Sequence, residues 1–415
     1  MQYATVAYFC APKRLTPRAG GAILVPKKRF CLMMKFSTLA FSAFLLLSAT
    51  WLPAAEFDGF RRGMGIGGWL TNYKRPNVLP DDQKFKITVG DLEHFESYIT
   101  ESDVAYIASL GFDHVRLGFD QIVVEESPRV YRESAMRQMG DFVKWAKARN
   151  LNVVLNLHKA VGNYCDVPER ATLLDSPELR SRFVALWVEM ERRFAGEPQV
   201  AFELLNEVLK VPPEKWNSLA AETIAAIREK NPTRKIIVGS TSWNSAWRLK
   251  DLRLFDDPNV VYTFHFYEPY VFTHQRGVLQ AKPLAYNRVM RYPSDIKPYA
   301  EFAEFCGDKN PYGNARRMDR ALLEKMLSPA IAFAKKHPDK ILWCGEFGTI
   351  RHAPKESREN YMRDVISILK ENGISYCVWN YLSTPSDGNR FSLVDDDARK
   401  ILSPELAEIL VGRAK

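Results

Sequence analysis

Several signatures are missing from this 415-residue chain, and each absence removes a class of function. No G-x-G-x-x-G or P-loop string occupies a strand-to-helix turn, which argues against a dinucleotide or nucleoside-triphosphate site. There is no H-E-x-x-H run and no clustered Cys/His spacing, so neither a metal nor any other cofactor is expected. Internal repeats, low-complexity linkers and appended binding modules are absent too, which leaves one large domain, expected to work as a monomer. Cysteine is scarce, at six residues. Cys165 and Cys306 fall in segments where a pairing after export is conceivable, whereas Cys344 and Cys377 lie in apolar strands and read as buried thiols.

A basic stripe is also lacking. The formal net charge is +9, but Lys13, Arg14, Arg18, Lys27, Lys28, Arg29 and Lys35 all precede the first acid, Glu56. Without them the chain is close to neutral, and no electrostatic case for nucleic acid remains. The apolar run 36–55 follows Lys35 and ends in Pro53-Ala54-Ala55. That order describes a secretory signal peptide over about 34–55, cleaved to give a secreted or periplasmic protein with no stable membrane contact. A single membrane anchor is the alternative, since the run approaches spanning length. Residues 1–33 have no periodic pattern and read as a disordered upstream extension.

What is present is a series of apolar, β-rich runs, each followed by a helical pattern. They are 62–69, 114–119, 152–158, 200–207, 236–240, 261–267, 341–348 and 376–381. Near-continuous apolar strands alternating with helices imply a parallel sheet covered on both faces. Eight such units fit a (β/α)₈ barrel of the TIM type better than an open doubly wound sheet. Between them, Met136, Met139, Phe142, Val143 and Ala146 form one helical stripe. Trp216, Leu219, Thr223, Ile224 and Ile227, entered through Pro212-Pro213, form another; both stripes are core-facing. The stretch 269–317 is too long for a simple connection and predicts a small inserted subdomain over the cleft after the sixth strand. It carries Tyr270, Phe272, His274, Tyr286, Tyr292, Tyr299, Phe302, Phe305 and Tyr312 as candidates for outer binding positions.

Two of the runs end in carboxylates, Leu205-Asn206-Glu207 and Cys344-Gly345-Glu346-Phe347-Gly348. In a parallel barrel the carboxyl ends of all strands meet at one face. Glu207, Glu346, Arg116, His158, Asn206, His265, Tyr267 and Trp379 would converge there from distant parts of the chain. Two facing carboxyls suit acid and nucleophile work on a glycosidic bond. A barrel lyase or aldolase would want a strand-end lysine or a metal-ligand set, and neither is evident.

The strings GIGGWLTNY, GFDHVRLGFD, AFELLNEV, VYTFHFYEPYVFTHQ, CGEFG and VWNY, in this order, resemble family 5 of the glycoside hydrolases. The resemblance runs from about Gly59 to the C-terminus and is strongest to compact bacterial endo-β-1,4-glucanases. It implies that Glu207 is the acid/base and Glu346 the nucleophile of a retaining glycosidase, about 5–5.5 Å apart. Glu207 would then need a raised pKa. Arg116 is the candidate cation beside Glu346, and Tyr267 a donor to the same carboxylate. Asn206 would bond the sugar 2-OH, and His158 and His265 would bond sugar hydroxyls or orient the carboxylates. Trp379 would lie under the sugar ring. Among other acids, Glu203 is expected to point into the barrel and pair with a base, Asp120 to support Arg116, and Glu268 to line the cleft. Trp69, Trp243 and Trp247 are further candidate platforms. The expected partner is a β-glucan polysaccharide or oligosaccharide, of cellulose or mixed-linkage type. A Trp expected shortly after Thr273-His274-Gln275 is replaced by Arg276-Gly277-Val278-Leu279. That departure keeps a β-mannanase or β-1,3-glucanase open, and a non-catalytic β-glucan-binding barrel is the rival from another class.

Overall fold

Apolar runs with no polar face are stable only where both sides are covered, and here every one of them becomes a strand of a closed barrel. The computed structural model describes residues 55–73, 86–167, 171–384, 389–395 and 397–414. The expected extension 1–33 and signal segment 34–55 lie, but for residue 55, outside these. Among the described residues no helix is long and apolar enough to cross a membrane. The barrel strands are β1 (Arg62–Leu70), β2 (His114–Asp120), β3 (Asn152–Lys159), β4 (Val200–Glu203), β5 (Ile236–Gly239), β6 (Val260–Phe266), β7 (Ile341–Phe347) and β8 (Ser375–Val378). Each pairs in parallel with its neighbours in chain order, and β1 closes on β8.

Side chains alternate along a strand, so one parity of each strand fills the barrel. The interior begins with an apolar floor of Val154, Ala201, Ile237, Val261, Trp343 and Cys377, one residue from each of β3 to β8. Phe57 and Phe60, stacked at 4.4 Å just before β1, complete it. Two residues further along, the parity places Asn156, Glu203 and Thr263, joined by Arg116 from β2, and above them His158 and His265. The inside of the barrel thus turns from apolar to polar toward the carboxyl ends of the strands. That change is what creates a site.

Outside, the Glu133–Lys147 helix buries Met136, Met139, Phe142, Val143 and Ala146. The Pro213–Arg228 helix buries Trp216, Leu219, Thr223, Ile224 and Ile227; both stripes are as the 3.6-residue period predicts. β4 is shorter than expected. Its ladder stops at Glu203, although Leu204 N still donates to Ile237 O and Asn206 N to Leu157 O. Glu207 is therefore on the loop beyond the strand, and Tyr267 and Trp379 similarly follow β6 and β8 by one residue.

The insertion after β6 contains short helices at Tyr270–Thr273 and Ala281–Tyr286 and a longer one at Lys297–Phe305. A two-stranded antiparallel ribbon, Ser294–Asp295 with Arg317–Met318, closes its second half. Phe272, Tyr292, Tyr299 and Tyr312 are buried in the main core. These four serve packing and are not free to contact a ligand, which corrects their expected role. Cys165 and Cys306 are free thiols. The first follows β3 and the second caps the Lys297–Phe305 helix beside Lys282, so the conceivable disulfide is not formed. Cys344 and Cys377 are buried, as expected.

Candidate active site

Arg116 organises the polar end of the barrel. Its side chain is fully buried, and three elements supply acceptors to it. Nε donates to Glu203 Oε2 at 2.6 Å and Nη2 to Glu203 Oε1 at 3.0 Å, a bidentate pair. Nη2 also reaches Asn206 Oδ1 at 2.6 Å, and Nη1 reaches Glu346 Oε1 at 2.5 Å. Burial disfavours the charged guanidinium, but the carboxylates of Glu203 and Glu346 outweigh this and hold its pKa above the ordinary value. Glu203 is the base-paired interior acid that strand parity predicts. Asp120, expected to support Arg116, instead accepts from Thr71 Oγ1 at 2.6 Å.

Glu346 receives a second donor from Tyr267, whose hydroxyl lies 2.9 Å from Oε2. Burial first, then the charge of Glu346, keeps that phenol protonated well above its usual range. Both oxygens of this carboxyl are thus engaged by donors, one of them a guanidinium. Opposite, Glu207 Oε1 accepts from His265 Nδ1 at 3.0 Å, and the same nitrogen is 3.7 Å from Glu346 Oε2. His265 Nε2 faces Asn244 Nδ2 at 3.3 Å, which leaves the ring proton on Nδ1. An oxygen of each glutamate and a nitrogen of His265 all fall within 4.8 Å of one another. Three such groups are a set that an ion would accept, but donors already occupy both carboxylates.

The environments of the two glutamates differ. The Glu207 side chain is 20% exposed and that of Glu346 6%. Burial and the nearby charge of Glu346 raise the Glu207 carboxyl above its ordinary pKa, while His265 and Arg116 pull the other way. A carboxyl whose pKa is raised, beside one held by two donors, can divide acid and nucleophile roles.

His158 and Trp379 form the remaining wall, stacked at 5.4 Å and 14°. His158 is neutral, since burial and then the charge of Arg116 hold its pKa well below the usual value. Nδ1 donates to Asn156 Oδ1 at 2.9 Å, and Nε2 faces the amides of Asn72 at 3.2 Å and Asn206 at 3.4 Å. Trp379 lies in a small cluster with Tyr267, Ile350 and Phe391. All eight sequence-predicted site residues therefore meet at one end of the barrel.

Three features escaped the sequence reading. Asn156 and Asn244 fix the two histidines, and nothing in their local strings separates them from ordinary strand-end asparagines. Lys159 does close β3, so a strand-end lysine exists. It is buried and ion-paired with Asp166 at 2.9 Å. Burial works against its charge, but Asp166 and Asp120 prevail and hold the pKa above the usual range. A Schiff-base lysine needs the opposite shift. Glu268, expected to line the cleft, has its Oε2 beside the Tyr267 amide at 3.2 Å, and burial raises its pKa. Trp69 is 1% exposed and donates to Phe95 O, so it is a packing residue.

The glycines of β1 make room for Trp379. A Cβ on Gly67 would lie 2.7 Å from Trp379 Cη2, and one on Gly65 2.9 Å from Cε3. Gly67→Ala is expected to force the indole aside, with the ~1–3 kcal/mol cost of overpacking. We expect a lower unfolding temperature and at least a tenfold loss of kcat/KM. Gly140→Ala, in a helix with nothing within 4 Å of its Cβ, should instead be neutral or slightly stabilising. Calorimetry and initial rates on the pair check both outcomes.

Comparison with known proteins places this geometry in context. A family model described as Cellulase (glycosyl hydrolase family 5) matches residues 79–384. Endoglucanase C of Acetivibrio thermocellus is 38% identical over 362 residues, covering 85% of this chain and 98% of that protein. Cellodextrinase A of Ruminococcus flavefaciens is 29% identical over 322 residues, covering 76% of this chain and 84% of that protein. A solved hyperthermophilic endo-β-1,4-glucanase in complex with substrate superposes with a TM-score of 0.61 at 23% identity. That match covers 85% of this chain and 97% of the other, and shows a shared fold.

Proposed function

The chain belongs to glycosyl hydrolase family 5, and on that premise we propose that it is a secreted, retaining endo-β-1,4-glucanase acting on cellulose-type or mixed-linkage β-glucan. One observation carries the mechanism. The carboxyl oxygens of Glu207 and Glu346 come within 4.8 Å of each other. Retaining glycosidases place these groups about 5–5.5 Å apart, whereas inverting ones leave about 6.5–9.5 Å for a water.

In the first step Glu346 attacks the anomeric carbon and the glycosidic C–O bond breaks. Glu207 gives its proton to the departing oxygen. The product is a glycosyl ester on Glu346 and a free reducing-end fragment. In the second step Glu207, now anionic, takes a proton from water. The hydroxide attacks the anomeric carbon from the side the leaving group vacated, and Glu346 departs as carboxylate. Arg116 and Tyr267 stabilise Glu346 as charge returns to it, and His265 steers the Glu207 carboxyl through both proton transfers. Asn206, anchored by Arg116, is placed to bond the sugar 2-OH, and Trp379 to lie under the ring. Substrate preference follows from endoglucanase and cellodextrinase relatives, and export from the apolar segment 34–55.

The test is a panel of barley β-glucan, carboxymethylcellulose, laminarin, mannan and xylan, with the product anomer followed by NMR. Barley β-glucan and carboxymethylcellulose should be cut, with the β-anomer formed first. Initial α-anomer would sink the retaining mechanism. Preference for laminarin or mannan would replace the substrate, and no turnover on any polymer would favour a binding role.

A further inference from the structure

We propose that Asn163 is a positioning residue for the catalytic acid, its carboxamide supplying the ladder bonds that β4 no longer makes beside Glu207. The role presumes the two-glutamate reading above, with Glu207 as proton donor. Regular pairing of β4 ends at Glu203, before the acid is reached. From there Leu204 N and Asn206 N each make one backbone bond to a neighbouring strand, and Glu207 follows on a loop. Its carboxyl is tied by His265 Nδ1 at 3.0 Å. Proton transfer asks for more, since a group misplaced by about 1 Å can cost about 10²-fold in rate.

Both ends of the Asn163 amide meet this loop. Nδ2 donates to Glu207 O at 3.0 Å, and Oδ1 accepts from Leu209 N at 3.3 Å. In a parallel ladder a residue donates to the carbonyl before its opposite number and accepts from the amide after it. Asn163 does the same around Val208, with a side chain in place of backbone. It is buried, so little water competes for either bond. Its own backbone is fixed by the turn that follows β3. Asn163 N donates to Ala160 O at 2.9 Å, and Thr172 N and Leu173 N donate to Gly162 O at 2.8 and 3.0 Å. Gly162 has φ 85°, and a Cβ there would lie 2.6 Å from Leu173 N, so this turn requires glycine.

The other side of the same loop is held by backbone. Trp243 N donates to Val208 O at 2.8 Å and Ser242 N to Leu209 O at 3.2 Å. Trp243 Nε1 donates to Cys165 O at 3.2 Å, which ties the two flanking loops together. The two bonds from Asn163 belong to a side chain, so one substitution removes both and leaves the backbone bonds in place. Glu207 can then swing outward, away from Glu346 and the leaving-group oxygen. Burial and the charge of Glu346 are what raise the Glu207 carboxyl, so that movement returns its pKa toward the ordinary value.

The test compares Asn163→Ala with wild type on two substrates. The leaving group of cellopentaose needs a proton, whereas that of 2,4-dinitrophenyl β-cellobioside does not. We expect kcat/KM on cellopentaose to fall about tenfold, part of the roughly 10²–10⁴-fold that a general acid supplies. On the aryl substrate it should stay within about twofold of wild type, because no proton is transferred to the phenolate. The basic limb of the cellopentaose profile should move to lower pH. Asn163→Asp keeps the acceptor for Leu209 N and loses the donor to Glu207 O. It should show the same split between substrates, and it carries the test if Asn163→Ala does not fold. Equal losses on both substrates, or a basic limb that stays in place, would make Asn163 a purely structural residue and overturn the proposal. Full activity on cellopentaose would overturn it as well. Wild type that cuts neither substrate overturns the endoglucanase reading itself, and the role of Asn163 with it.

Discussion

Glu346→Gln is expected to leave a folded protein whose turnover has dropped on the order of 10⁵-fold, the scale seen when a covalent nucleophile is removed. The fold survives because Gln has the same shape and both neighbours can still be satisfied. Its Oε1 accepts from Arg116 Nη1, and its Nε2 donates to the Tyr267 hydroxyl, which can turn to accept. What disappears is the carboxylate that forms the glycosyl ester. A bidentate partner at Glu203 keeps Arg116 in place, so circular dichroism and unfolding temperature should stay close to wild type. A second variant makes the role specific. Glu346→Ala opens space on the α-face, and azide there should yield the α-glycosyl azide from an activated β-glycoside, with inversion. Retention of a few per cent of native activity by Glu346→Gln, or a β-azide from Glu346→Ala, would show that Glu346 is not the nucleophile.

The fold was legible because a parallel barrel leaves a strong imprint: each strand is covered on both faces and reads as an apolar run. All eight runs are strands, with ends displaced by a residue or two except at β4 and β8, which stop four and three residues early. At β4 the apolar pair Leu204-Leu205 continues the pattern past Glu203, where regular pairing stops. Hydrophobicity measures burial, not ladder hydrogen bonds, and the chain bends beyond Glu203 while single bonds from Leu204 N to Ile237 O and from Asn206 N to Leu157 O still tie it to β5 and β3.

The site was legible in its ionisable and aromatic members, because polar groups at the ends of apolar strands are costly to bury without a purpose. The supporting layer was much less so. Asn156 holds His158 from two positions earlier on the same strand, and Asn244 reaches His265 across 21 residues. Glu203 meets Arg116 across 87. Such pairings depend on how strands close into a barrel, not on local pattern, so sequence supplied the residues but only partly the partners. Lys159 shows the same effect in reverse. Strand position alone would admit a nucleophilic amine, and only the placement of Asp166 makes it a structural cation.

Glu207→Ala should separate the acid's work from the nucleophile's. General acid assistance is worth roughly 10²–10⁴-fold, and it matters in proportion to how poor the leaving group is. On cello-oligosaccharides we expect kcat/KM to fall by about that range. On 2,4-dinitrophenyl β-cellobioside, whose phenolate leaves without a proton, formation of the glycosyl-enzyme should be nearly unaffected, so the intermediate accumulates and a burst appears. Azide should then restore turnover and give the β-glycosyl azide, opposite in configuration to that from Glu346→Ala. The pH profile supplies an independent check. Because burial and Glu346 raise the Glu207 carboxyl, wild-type kcat/KM should fall as pH rises through that pKa, and the variant should lose this basic limb. Stability carries the same sign. A carboxyl whose folded pKa lies above its unfolded value of about 4.3 stabilises fully below that pH, and its contribution is lost as pH rises through the folded value. Glu207→Gln cannot ionise, and its Oε1 still accepts from His265 Nδ1. Its unfolding temperature should match wild type near pH 4 and exceed it by roughly 1–3 °C near pH 8. A variant no more stable than wild type at the higher pH would show that Glu207 is not held protonated by the barrel.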